Sequence, residues 1–135
     1  MSRNDAPSGE YRLEFSYDAP RLTVRLIDNL AASLAASSAY WLRIGAEAKA
    51  RGARQLLVLD ELPSEVLAEA DLPKLFEVIQ HSGLRELQIA YVEGRADQMP
   101  QIEAVEMMGR ERGYRVRVFS DAAEASLWLR YGEDA

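Results

Sequence analysis

The chain reads as an α/β protein: a single layered domain with a five-stranded mixed sheet and about four helices, in which an N-terminal hairpin supplies one antiparallel strand and the remaining strands are parallel. Three observations predict this. Near the start, apolar and polar residues alternate with a period of two, as in strands with one buried face. Two later runs, LLVL at 56–59 and LQIAYV at 87–92, are largely apolar on both phases, as expected of strands covered on both sides. Segments of helical period separate the later strands, and parallel neighbours need such crossovers. The predicted order is β-β-α-β-α-β-α-β-α.

In the hairpin, Tyr11, Leu13 and Phe15 alternate with Arg12, Glu14 and Ser16. Asp18-Ala19-Pro20 marks the turn, and Leu22, Val24 and Leu26 alternate with Arg21, Thr23 and Arg25. The segment IDNLAASLAASSAYWLRIGAEAKARGARQ has helical composition but is long for one helix, so a break is expected. A serine hydroxyl can accept from the free N–H groups of a helix start. The main helix is therefore placed at about residues 38–51, capped by Ser37 or Ser38 and stopped by Gly52, with 28–36 as a looser lead-in. Trp41, Leu42, Gly45 and Ala48 would form its sheet-facing stripe.

Leu56 to Leu59 is a central strand, with Asp60 at its carboxyl end. The next helix has Asp71 as its cap, Pro73 in its first turn, an apolar face of Leu72, Leu75, Phe76 and Ile79, and Gly83 as its stop. After the strand at 87–92, Asp97, Pro100, Ile102, Val105 and Met108 or Gly109 describe a third helix closed by Gly113. Val116 and Val118 then alternate with Arg115 and Arg117, a charged edge strand of the kind that discourages pairing with other chains. Asp121-Ala-Ala-Glu124 forms a capping box ahead of Ala125, Leu127, Trp128 and Leu129.

The chain has 135 residues, 48% hydrophobic and 28% charged, which fits one domain with a packed core. Residues 1–9 read as a disordered leader, 10–131 as the domain and 132–135 as a short acidic tail. No cysteine is present, which removes disulfides, thiolate nucleophiles and zinc–thiolate sites and makes the cytoplasm the expected compartment. No apolar run approaches membrane-spanning length, so no membrane insertion is expected. The net charge of −6 repels phosphate backbones, which argues against nucleic acid as a partner.

The strand LLVLDELP leading through a loop to LPKLFEVI, the ending RVRVFSDAAEASLWLR and the element order together resemble a STAS domain (sulfate transporter and anti-sigma-factor antagonist). The likeness spans about residues 10–131 and is to the small stand-alone bacterial proteins similar to the sporulation anti-sigma-factor antagonist. In phosphorylated members a loop into the second helix carries an Asp-Ser-Ser-Gly-like tetrad, and a kinase modifies one serine to release a partner. The matching stretch here is Ala68-Glu69-Ala70-Asp71, which has no hydroxyl, so the serine switch does not carry over. Glu69 lies near the phosphoserine position and offers a fixed negative charge in its place, though with less charge and fewer acceptors than phosphate.

Chemistry at a strand end needs partners. A receiver domain would want an acidic pair after its first strand and a lysine after its last, but the only lysines, Lys49 and Lys74, fall on helices. A hydrolase would want a nucleophile beside a base, and none is placed. His81, the sole histidine, fits the end of a helix, where a cation suits the dipole. Trp41 and Trp128 fit core positions, and of Met107 and Met108 one is expected inside and one at the surface. No catalytic residue, metal ligand or cofactor site is assigned, and the expectation is a protein that is not an enzyme.

A collective feature remains. Asp60, Glu61, Glu65, Glu69 and Asp71 follow one parallel strand, Glu93 and Asp97 follow the next, and Arg95 is the nearby opposite charge. Loops after parallel strands open on one edge of the sheet, so these carboxylates would gather into an acidic rim. The candidate partner-binding set is Asp60, Glu61, Leu62, Glu65, Val66, Glu69, Asp71 and Glu93, with Leu62 and Val66 supplying apolar anchors for a basic protein partner. A homodimer is compatible with the same surface. The alternative is a module binding a lipid or nucleotide beneath the 28–36 and 61–71 loops, as the related CRAL-TRIO fold allows.

Overall fold

The structure, a computed structural model, describes residues 12–27, 33–61 and 67–132. Tyr11, the proposed leader, residues 133–135 of the proposed tail, and the site residues Leu62, Glu65 and Val66 lie outside them.

The hairpin forms as its alternation requires. Strand β1 (Arg12–Asp18) pairs antiparallel with β2 (Arg21–Ile27), from Asp18 opposite Arg21 at the turn to Arg12 opposite Ile27. Helix α1 (Leu34–Arg51) leads to β3 (Gln55–Asp60), helix α2 (Leu72–Ile79) to β4 (Gln88–Glu93), and helix α3 (Met99–Glu111) to β5 (Arg115–Phe119), followed by helix α4 (Ala122–Tyr131). The five strands lie in chain order, and β2 to β5 are mutually parallel. This is the mixed α/β sheet the periodicities predict. The carbonyl of Pro20 accepts from the N–H groups of Arg54 and Gln55 at 3.0 and 3.1 Å, which ties the start of β3 to the hairpin turn.

Sequential order also settles which face each helix covers. Right-handed crossovers that always step in one direction place every crossing helix on the same side of the sheet. Tyr40, Ile44 and Ala48 of α1, Leu72, Leu75, Phe76 and Ile79 of α2, and Ile102 of α3 all pack with Leu22, Val24, Leu56, Val58 and Ile89 in one core. The opposite face of β3 and β4, carrying Leu57, Ala90 and Val92, is covered by Ala125, Trp128 and Leu129 of α4. Burying a Leu, Val or Ile side chain of this kind contributes about 1.5–3 kcal/mol.

The start and sheet-facing stripe of α1 and the cap of α2 differ from expectation. Helix α1 begins at Leu34, not near residue 38: Ser33 is extended and its hydroxyl accepts from the N–H of Ala36 at 3.0 Å, while Ser37 is already inside the helix and buried. The first serine able to cap does so, and the later pair is carried along. The stripe on the sheet is correspondingly Tyr40, Ile44 and Ala48, and Leu42 is 42% exposed. Asp71 does not cap α2 with its side chain, because it ends a 3-10 turn (Glu69–Asp71) whose backbone is already helical and runs directly into Leu72.

At the far end of the sheet, β5 is an edge strand, as its exposed Arg115 and Arg117 predict. It is also held by α3: Glu106 accepts from the N–H of Val118 at 3.2 Å, and Arg110 donates to the carbonyl of Val116 at 2.9 Å. Side chains one helical turn apart thus occupy backbone groups that another chain could otherwise pair with. Asp121 caps α4, accepting from the N–H of Ala123 at 2.8 Å. Met107 is 65% exposed while Met108 packs against the core. No helix among the described residues is long and apolar enough to cross a membrane.

Candidate functional site at the carboxyl edge of the sheet

Alternation along β3 and β4 decides where the strand-end carboxylates go. On β3, Leu56 and Val58 face the layer of α1, α2 and α3, and Asp60 is next on that phase. On β4, Ile89 and Tyr91 face the same layer, and Glu93 follows them. Asp60 and Glu93 are also opposite one another in the parallel register. Two acids are therefore brought to the same end of the inner face, where Asp60 is 8% and Glu93 3% exposed.

Tyrosines surround them. The hydroxyl of Tyr91 donates to Asp60 Oδ2. From α1, the buried ring of Tyr40 lies 6.0 Å from that of Trp41, and Trp41 stacks on Tyr91 at 6.2 Å. Burial raises both tyrosine pKa values, and the charge of Asp60 raises them further, so both hydroxyls keep their protons. Glu93 is pushed up to about 8, first by burial and then by the charge and hydrogen bond of Asp60, against the opposing pull of the Arg95 N–H and guanidinium. Its Oε1 has no hydrogen-bond partner among the described residues.

The remaining acids of the expected rim are divided. Glu61 is one residue beyond Asp60 and so points to the opposite face, where it pairs with Arg25 at 2.8 Å. Arg25 also holds Glu14 at 3.0 Å. The Arg25 hydrogen bond pulls the Glu61 pKa down. Asp97 pairs with Arg95 at 2.7 Å, which lowers its pKa as well. Glu69 is exposed and Asp71 half-buried on the turn into α2, and neither has an ion-pair partner among the described residues.

Thus Asp60 and Glu93 converge, but inside the molecule, while Glu61, Glu69 and Asp71 stay nearer the surface at separate positions. Leu62, Glu65 and Val66 fall outside the described residues. Tyr40 and Tyr91 were not singled out as site residues from the sequence. The signal that could have found them is phase: Tyr91 and Glu93, like Val58 and Asp60, are two apart on an inward face. A buried acid with a raised pKa, as Glu93 is, is a candidate for proton transfer. A general acid or base must come within about 3 Å of the proton it moves, and neither carboxyl is presented to solvent. No cluster of three or more metal-binding side chains occurs among the described residues. Compared with family models and with curated proteins, the chain has no match.

Proposed function

We propose that this chain is a non-catalytic regulatory or protein-interaction module of the STAS type, of the bacterial stand-alone kind, working in the cytoplasm. The observation that carries the reading is the turn into α2. Ala68, Glu69 and Ala70 are exposed there, at the position where the resemblance puts the phosphorylated tetrad. Lacking a hydroxyl, this stretch has no phosphate to gain or lose, and Glu69 supplies a standing negative charge. A partner binding at this turn would be held constitutively and would be basic at the point of contact. Sequential strand order and an inner layer of three crossover helices are consistent with the reading and leave the β3–α2 connection at one end of the sheet.

The test is affinity capture from native lysate with the whole chain as bait, alongside a Glu65→Lys/Glu69→Lys variant whose folding is verified by circular dichroism. The expected result is a protein retained by the native chain and lost from the variant. Retention of the same proteins by both overturns the proposal.

A further inference from the structure

Asp60 and Glu93 occupy opposite positions at the ends of β3 and β4, both turned to the inner face and both buried. The charge of Asp60 and a hydrogen bond between the two carboxyl groups both act to raise the Glu93 pKa. An ionised carboxylate only accepts, so such a bond exists only while one of the two keeps a proton. Removing that proton leaves two like charges on neighbouring strands, about 5 Å apart at the backbone, in a region of low polarity. The Oε1 atom of Glu93, already without a hydrogen-bond partner among the described residues, would then belong to a buried anion.

The described surroundings offer little to offset that charge. Helix α1 contributes Tyr40, with Ser37 and Trp41 beside it, β4 contributes Tyr91, β2 contributes Leu26 opposite Asp60, and the turn after β4 contributes Arg95. Among these Arg95 is the cation, and it is engaged by Asp97 on the exposed side. Both tyrosines stay neutral.

We propose that Asp60 and Glu93 share one proton at neutral pH, and that its loss drives apart the carboxyl ends of β3 and β4, so that this pair is a proton-sensitive latch on one edge of the sheet. The proposal rests on the pair alone and is independent of the interaction reading. The direction of the effect follows from Glu93, whose pKa is raised in the folded chain to about 8 from an ordinary 4.5. The stability it contributes is fully present below the unfolded value and is lost as pH rises through the folded one. Across that window the folding equilibrium constant falls by up to about tenfold per pH unit, the effect of one proton.

The experiment compares urea unfolding of the full chain and of Glu93→Gln between pH 5 and pH 9. The native chain is expected to lose stability toward pH 9, while the variant, whose amide donates to Asp60 without ionising, loses far less and is the more stable at pH 9. Parallel curves overturn the proposal. Should the variant not fold, carboxyl ¹³C titration of Glu93 in the native chain decides: a midpoint in the ordinary carboxylate range overturns the shared proton, and one well above it supports it. Hydrogen exchange at amides 59–61 and 92–94 tests the latch itself. Protection there should fall selectively above pH 8, and unchanged protection overturns that half.

Discussion

Gly94 lies against Asp60: its N–H donates to the Asp60 carbonyl at 3.2 Å, and a Cβ added to Gly94 would stand 3.0 Å from that same oxygen. The close approach brings the chain leaving β4 alongside the end of β3. Because the atom in the way is backbone, relief requires the strand end to move. Gly94→Ala should therefore destabilise the protein by about 1–3 kcal/mol. Gly109 is a useful control, since a Cβ there meets the Val116 side chain at 3.2 Å and the Phe76 ring at 3.5 Å, groups that can shift more easily. Urea denaturation should rank Gly94→Ala as the costlier change, and equal costs would contradict this account.

Helix α4 alone covers the second face of the sheet among the described residues, so its anchor and its cap have separable effects. Trp128→Ala uncovers Leu57, Ala90 and Val92 and should cost about 3–5 kcal/mol. Asp121→Ala removes only the acceptor for the Ala123 N–H and should cost about 1 kcal/mol. Thermal unfolding of the two variants measures the contrast.

Tyr91→Phe removes a donor to buried Asp60 while leaving the ring stack on Trp41 in place. A buried acceptor that loses a partner costs about 1–3 kcal/mol. Combining Tyr91→Phe with Asp60→Asn should give clearly non-additive losses in chemical denaturation, and additive losses would show the hydroxyl and carboxyl to be energetically separate.

The Arg25–Glu61 pair predicts a pH effect of the opposite sign to that of Glu93. Arg25 holds the Glu61 pKa below its ordinary value, so the stability from this pair is present above the unfolded carboxylate value and is lost as pH falls through the folded one. Arg25 is 46% and Glu61 43% exposed, so the contribution is screened and should stay below about 1 kcal/mol. Arg25→Gln should flatten the acid limb of the stability curve slightly at low salt and not at all at high salt. A large loss at neutral pH would contradict the surface reading.

The fold was legible because its periods are clean. Leu13 and Leu22 to Leu26 mark one-sided strands, LLVL and LQIAYV mark strands covered on both sides, and Gly52 and Gly113, both with positive φ, end the helices they were expected to end. Ser33 as the start of α1 was harder to read, since three serines, Ser33, Ser37 and Ser38, lie close together and local preference does not choose between them. For the site, the convergence of Asp60 and Glu93 followed from strand order, but their burial did not. A carboxylate after an apolar run suggests a loop, whereas the strand continues through it and its phase turns it inward. That same phase sends Glu61 to Arg25, a cross-strand pairing that becomes visible only when β2 and β3 are known to be neighbours.

Strand order has a further consequence, for synthesis. Three helices between strands can shield the inner face progressively as the chain emerges, but among the described residues the helix that covers Leu57, Ala90 and Val92 on the other side comes last, at residues 122–131. A ribosome-bound intermediate lacking that segment carries a naked apolar stripe, the kind of surface that recruits chaperones or seeds aggregates.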